Sequence, residues 1–421
     1  MLTDKKIFKI YRSYNKDIQT FKQKLKITIY TLGRLIFFFK KRNLKYSDIK
    51  GKRRILFISL YFRGDVLLQT PVLRVLKNLF PDSEIDVWVK SRAAEVLKSN
   101  PFINDVLIFD SIRTAEYSES NRKFDLKGKA NFLKKLREKK YDIVIDYTGL
   151  FLTTLYSFLS RAKYTFGRNE QGFGFMFNNS ITRDFSVEKG HLILKYVNLL
   201  KILLNVDERS WEKAVSNVNL KPDIFLNKEI SLIVEKELTK RGYDPHKKLI
   251  CIHLTAGWEA KRWKLENYKM LIYQLKENMG FEVAIVGNEY DKSEFKKIVS
   301  SSEDFDKMFF LKPLHFNAEL IKRSDLFIGG DSAPLHISGA VKTKSLALFG
   351  PTNPLFSNPV GDKHYVIYNK LNCSSGENMQ YCTRNAGKTC PTIDCLNMIT
   401  VDNVLEIITK LMKQSVDRKN G

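Results

Sequence analysis

From Arg54 onward the chain repeats one unit: a short apolar run with no helical period, a turn, then a stretch with helical spacing. Ile55–Leu60 is the first such run. A run that is apolar at every position needs cover on both faces, which is the situation of a strand inside a parallel sheet. Tyr61–Gly64 supplies the turn, and Val66, Leu67, Thr70, Leu73, Leu76 and Leu79 share one face of a helix over Asp65–Phe80, ended by Pro81 and Asp82. Strands follow at Ile85–Val89, Val106–Phe109 and Tyr141–Asp146, with helices at Ala93–Ser99 and Lys127–Lys140. A second series has strands at Leu249–Leu254, Val283–Val286, Leu326–Ile328 and Ser345–Phe349. Its helices fall at Leu265–Met279, Ala318–Arg323 and Ser332–Val341. Strand–helix–strand crossovers are right-handed, so each series closes into a parallel sheet with helices on its faces: an α/β protein.

At 421 residues the chain exceeds one ordinary core. The two series part near 215–225, after the polar stretch Asp207–Lys213 and around Pro222. The expected organisation is an extension over 1–52, a first α/β domain over 53–220, a second over 221–400, and a terminal helix within 401–421. Doubly wound sheets take ligands at the C-terminal ends of their strands, so the expected site lies in the cleft between the halves.

The formal net charge is +25, and residues 1–54 hold 17 Lys/Arg against 3 Asp, more than half of the excess. In that extension Ile7, Phe8, Ile10, Tyr11 and Tyr14 follow helical spacing, with Lys5, Lys6, Lys9 and Arg12 between them. The apolar stretch Ile27–Phe39 is only 13 residues long and Arg34 interrupts it. A bilayer span needs about 20. A basic amphipathic helix lying on an anionic membrane fits residues 1–50; a helical pair on the body with solvated lysines is the bland alternative. Nothing resembles a nucleic-acid module, and no nucleic-acid partner is expected. The N-terminus lacks a secretory pattern, so the expected location is cytoplasmic, peripheral on the inner face of the cytoplasmic membrane.

Three segments after strands carry polar residues suited to chemistry. In Leu60-Tyr-Phe-Arg-Gly-Asp65, Gly64 permits close backbone approach, and Asp65 is either a helix cap or a base facing the cleft. In His253-Leu-Thr-Ala-Gly-Trp-Glu-Ala-Lys-Arg-Trp263, small residues, a hydroxyl and backbone donors precede Lys261 and Arg262, a set that suits a diphosphate. Trp258 and Trp263 either stack on a ligand or pack. In Gly329-Gly-Asp-Ser-Ala-Pro-Leu-His336, a glycine turn meets a helix N-terminus, a second anion-receptive place, followed by the tight loop Gly350-Pro-Thr-Asn-Pro354. Asp331 either caps that helix or binds a ribose hydroxyl, and His336 lies one turn inside. There is no Walker A sequence and no strict G-x-G-x-x-G, and the lone Asp304-Phe-Asp306 reads as solvated surface. Cys251 reads as a small buried thiol. Cys373, Cys382, Cys390 and Cys395 are spaced C-x8-C-x7-C-x4-C, which is not the paired zinc pattern; reduced thiols and a metal site both remain open.

In order and spacing, these pieces resemble glycosyltransferase family 9, the heptosyltransferase family of lipopolysaccharide core assembly. The resemblance covers about residues 53–400. It is carried by Arg54-Ile-Leu-Phe-Ile, Gly64-Asp-Val-Leu-Leu-Gln-Thr-Pro71, Asn100-Pro with Val106-Leu-Ile-Phe-Asp110, and Tyr141-Asp-Ile-Val-Ile-Asp146 with Gly149-Leu150. Ala256-Gly-Trp, Lys261-Arg-Trp263, Asp331-Ser through His336, and Ala347-Leu-Phe-Gly-Pro-Thr352 complete it. It implies a GT-B arrangement, two Rossmann-like domains facing across a cleft, behind the basic helical extension. It implies inverting transfer with no metal and no cofactor, from a nucleotide-sugar donor (ADP-heptose) to a lipid-linked glycan acceptor. Asp65 matches the general base, with Arg63 and Gly64 on the acceptor side. Lys261 matches the lysine that neutralises the leaving diphosphate. Thr255, Ala256, Lys261, Asp291, Asp331, Ser332, Ala333 and His336 fall on the donor side, Asp291 as the ribose-contacting acid. Leu254-Thr255 stands where the family has Pro-Gly, and Ala333 where it has glycine. Alternatives are another donor on the same fold, a nucleotide-sugar epimerase, and a non-catalytic membrane- or polyanion-binding protein.

Overall fold

The computed structural model describes residues 43–110, 125–182, 184, 185, 188–299 and 302–417. The first sheet comprises β1 (Arg54–Ile58), β2 (Glu84–Val89), β3 (Asp105–Ile108), β4 (Ile143–Asp146), β5 (Tyr164–Arg168) and β6 (Asn179–Ile181), in the order β3-β2-β1-β4-β5-β6. The second comprises β7 (Leu249–His253), β8 (Glu282–Gly287), β9 (Phe309–Leu311), β10 (Leu326–Gly330), β11 (Ser345–Phe349) and β12 (His364–Tyr368), in the order β12-β11-β10-β7-β8-β9. Every pairing in both sheets is parallel. The halves therefore share one topology. The direction of winding reverses between β1 and β4 and again between β7 and β10, and these are the places where such sheets open a crevice. The three polar segments follow β1, β7 and β10.

The central strands are covered on both faces, as their unbroken apolar runs require. Ile55 and Phe57 of β1 enter one apolar cluster, and Leu56 and Ile58 enter another on the opposite face. In β7, Cys251 enters the first cluster while Ile250 and Ile252 enter a third. The first cluster is continuous through both halves: it takes in Val66 and Leu73 from one and Phe310, Leu335 and Phe349 from the other. The terminal helix Val401–Asp417 packs Val404, Ile408, Leu411 and Met412 against the second sheet with Trp263, so it is part of that half.

Several elements depart from the sequence expectation. The helix expected over Asp65–Phe80 is two, Arg63–Leu68 and Thr70–Leu79, meeting at Gln69. Pro71 has no N–H to continue the first helix but fits the opening turn of the second. Leu265–Tyr273 passes into a π-helical turn, Gln274–Asn278, before Gly280. The helices Phe151–Leu159, Leu192–Leu204 and Lys228–Lys240, with β5, β6, β9 and β12, had no counterpart in the sequence reading. The folded body also begins before the composition changes. Leu44 and Ile49 are buried in the first half's core, Asn179 Nδ2 and Oδ1 pair with the Leu44 backbone, and Tyr46 OH donates to Leu79 O at 2.5 Å. The amphipathic stretch expected before that point lies outside the described residues, and no helix among the described residues is long and apolar enough to cross a membrane.

Candidate active site

Asp65 is the third residue of the helix Arg63–Leu68. The cap position is held by Phe62, whose side chain makes no cap hydrogen bond, so the cap reading of Asp65 is not the one realised. Its carboxylate gains from the helix dipole in the first turn and accepts a hydrogen bond from Tyr196 OH at 3.3 Å. Arg63 is exposed and turns within its own half, donating to Arg92 O at 2.5 Å, 3.8 Å from Glu95. Gly64 faces the other half: a Cβ there would lie 3.0 Å from His336 Cδ2 and 3.7 Å from Ala333 Cα. The close approach expected at Gly64 is thus made by the second half's imidazole.

On the second half, Lys261 closes the short 3-10 turn Glu259–Lys261 after β7. Its Nζ sits 2.6 Å from Asp331 Oδ2 and 4.3 Å from the centre of the Trp258 ring, and the two side chains of the ion pair are each about 10% exposed. Gly330 makes this approach possible, because a Cβ there would lie 3.1 Å from Lys261 O. Asp331 also accepts a hydrogen bond from Ser357 Oγ at 3.2 Å. Burial alone would raise its pKa, but Lys261 and His336 outweigh it and hold the carboxyl below the usual range. His336 Nε2 is 3.9 Å from Asp331 Oδ1. Burial first, then the neighbouring Lys261 and His191, against the opposing pull of Asp331, push the imidazole down to about 4, so it is neutral at pH 7. Ser332 caps the helix Ala333–Ala340 by position only, its Oγ lying 3.3 Å from His253 Nδ1. At the Ala333 end Pro334 has no N–H, and the Leu335 and His336 N–H groups go to Ser332 O at 3.1 and 3.4 Å, so receptivity to an anion rests on the helix dipole and the Ala333 amide.

Asp291 occupies a different position from the one the resemblance implies. It is fully buried at the third position of the helix Glu289–Lys296, and its Oδ2 accepts the Asn288 N–H at 2.8 Å in a capping box. Its Oδ1 accepts from Thr255 Oγ1 and lies 3.4 Å from His253 Nε2. Burial opposes ionisation there, yet His253 and Thr255 keep the carboxyl below the usual range. Asp291, His253, Thr255 and Ser332 therefore form a chain beneath the turn that opens Ala333–Ala340, with Asp291 as its buried support. Ala256 O accepts from Arg262 Nε at 3.2 Å. Trp263 packs, with Nε1 on Ile399 O at 2.8 Å, while Trp258 ties its loop to Ala386 O at 3.0 Å.

His253 is not among the candidate site residues of the sequence, although it stands at a strand end inside the second polar segment. Ser357 and Tyr196 are absent from them too. Tyr196 is 131 residues from Asp65 in a helix with no local signal of function. Asp304 lies in the helix Ser302–Met308, 2.6 Å from Lys276. Cys251 is buried, and burial pushes its thiol pKa up. The other four cysteines are free thiols bordering one pocket under Gly350 and Pro351. Among the described residues no group of three or more His, Cys, Asp or Glu is arranged to hold a metal ion.

The site thus sets a carboxylate at one switch point against a lysine–aspartate pair and a helix N-terminus at another. Comparisons with known proteins fit this arrangement. The model of glycosyltransferase family 9 (heptosyltransferase) matches residues 130–386, more than half of the chain. The chain is 27% identical over 320 residues to lipopolysaccharide heptosyltransferase 3 of Escherichia coli K12, covering 71% of this chain and 83% of that protein. Among solved structures it resembles a family 9 glycosyl transferase from Veillonella parvula, with a TM-score of 0.70 and 21% identity, over 89% of this chain and 100% of that one. It also resembles the E. coli ADP-heptose lps heptosyltransferase II, with a TM-score of 0.67 and 20% identity, over 86% and 99%.

Proposed function

The chain belongs to glycosyltransferase family 9, and from that premise we propose that it moves heptose from ADP-heptose to a lipopolysaccharide-core acceptor with inversion, using Asp65 and Lys261. Membership in the family makes it a glycosyltransferase and disfavours the epimerase and non-catalytic readings. The observation that supports the residue assignment is the close approach of Gly64, next to Asp65, to His336, which neighbours the Lys261–Asp331 pair.

In this reading the acceptor hydroxyl attacks the anomeric carbon and passes its proton to Asp65 as the bond to the diphosphate breaks. Charge collects on the departing diphosphate. Lys261, fixed in advance by Asp331, and the Ala333 N–H at the start of Ala333–Ala340 meet it there. His336, neutral, lines the cleft between base and leaving group. Thr255, Ala256 and Ser332 shape the nucleotide side. Asp291 acts by holding Thr255 and His253 in place of touching the ribose itself. Arg63 and Gly64 border the acceptor side.

The donor is tested by thermal shift with ADP-heptose, GDP-sugars and UDP-sugars, alongside a transfer assay. A donor at 100 times its dissociation constant stabilises by about 2.7 kcal/mol, a readily measured rise in melting temperature. ADP-heptose is expected to give that rise and to support transfer; a rise with a UDP- or GDP-sugar alone defeats the assignment.

The basic extension is assigned to the anionic inner face of the cytoplasmic membrane, where a lipid-linked acceptor is presented. Removing residues 1–42 is expected to abolish sedimentation with phosphatidylglycerol-containing vesicles while leaving the fold intact. The cut belongs at 42, since Leu44 and Ile49 are core residues. Undiminished vesicle binding by the shortened protein places the anchor elsewhere.

A further inference from the structure

We propose that the helix Leu192–Leu204 is a strap that positions Asp65 from the donor half, with Tyr196 as the positioning residue; this rests on the reading of Asp65 as the base. The strap starts at His191, whose Nδ1 accepts the Ile193 N–H at 3.2 Å. The ring proton therefore sits on Nε2, which donates to Asn358 O at 2.9 Å. Asn358 directly follows the turn Pro354–Ser357, and Ser357 Oγ is the donor to Asp331. The start of the strap is thus fastened to the loop that holds the partner of Lys261.

Two further ties lie one turn along. Lys195 is buried, its Nζ 3.5 Å from the centre of the Phe356 ring and donating to Phe185 O at 2.8 Å. A buried ammonium over an aromatic face is a firm lateral tie, because withdrawing it loses both contacts in a medium of low dielectric. The next residue is Tyr196. Its carbonyl accepts from Tyr147 OH at 2.8 Å, and its ring stands edge-on to Phe185 at 5.6 Å. With backbone and ring both fixed, the phenol is held beside Asp65 and Gln69, and its hydroxyl meets Asp65 Oδ1 at 3.3 Å. Burial, then the charge of Asp65, raise the phenol pKa well above 10. It therefore keeps its proton throughout the working range and has it to donate to Asp65. A donor to a carboxylate stabilises the ionised form and fixes its rotation, which is what a proton acceptor needs. The C-terminal end of the strap is closed by Asn205 in the left-handed region, at φ 48°.

The test measures kcat and KM against pH for the wild type and for Tyr196→Phe, Asp65→Asn, the double variant and His191→Ala. Tyr196→Phe keeps the ring and removes only the donor. It is expected to lower kcat by about 10–150-fold, the range for one hydrogen bond to a charged group. It is also expected to move the acid limb of the profile up by about half a pH unit to one unit, because the carboxylate loses a stabilising partner. Donor KM should stay within about twofold, since the phenol makes no donor contact. In the Asp65→Asn background the same change should add nothing, because the hydroxyl acts through that carboxylate. His191→Ala should weaken donor binding and turnover together, by loosening the loop of Ser357.

If Tyr196→Phe keeps the wild-type kcat and acid limb while Asp65→Asn is inactive, the strap is refuted and the base stands. Unchanged donor binding and turnover in His191→Ala refute the strap's attachment to the donor half. Full turnover by Asp65→Asn removes the base reading itself, and the strap with it.

Discussion

Asp65→Asn is expected to lose about 10²–10⁴-fold in kcat, the contribution of a positioned general base. The substitution keeps the side-chain shape and still accepts from Tyr196, so the helix Arg63–Leu68 and the contact of Gly64 with His336 should persist. Donor affinity, measured by calorimetry, should be within about twofold of wild type, because the groups proposed to hold the donor lie on the other half. The acid limb of the pH profile should vanish along with the activity. A variant that turns over normally would show that the acceptor proton leaves by another route. One that loses donor binding as well would place Asp65 on the donor instead.

The second large effect is at Lys261. Lys261→Met should raise donor KM and lower kcat, together about 10²–10³-fold, the range for removing one preorganised group that meets developing negative charge. It should also destabilise the fold, unlike the change at Asp65. Asp331 is nearly buried, and its Oδ2 loses the ammonium at 2.6 Å. Removing one partner of a buried pair costs up to about 3–5 kcal/mol, and protonation of Asp331 would reduce that loss. The combination Lys261→Met with Asp331→Asn separates the two effects: melting temperature should recover while turnover does not. Recovery of turnover in the double variant would mean that Lys261 serves the fold alone.

Much of this architecture was legible because a central parallel strand must be apolar throughout. Ile55–Leu60 and Leu249–Leu254 announce themselves for that reason, and the polar turns after them mark the crevices. The elements that escaped are those without a period. β12 is half-buried along its whole length, and Leu192–Leu204 is apolar nearly all round, so neither shows an alternating or amphipathic signature. The candidate site divides in the same way. Asp65, Lys261 and Asp331 stand in short motifs directly after strands. Tyr196, Ser357 and the support given by Asp291 depend on contacts between segments far apart in the chain, which no local pattern records. Asp291 shows the limit from the other side: its neighbourhood after Gly287 fits a ligand-facing acid, yet Asn288 at the cap turns it inward.

The apolar cluster that passes from the first sheet's helices into the second's has a consequence for how the molecule yields to heat or denaturant. Two doubly wound halves on separate cores would melt as independent units, each with its own midpoint. Here one apolar cluster runs through both, so melting of one half is expected to draw in the other. A ligand bound to one half is then expected to protect the other from unfolding without touching it.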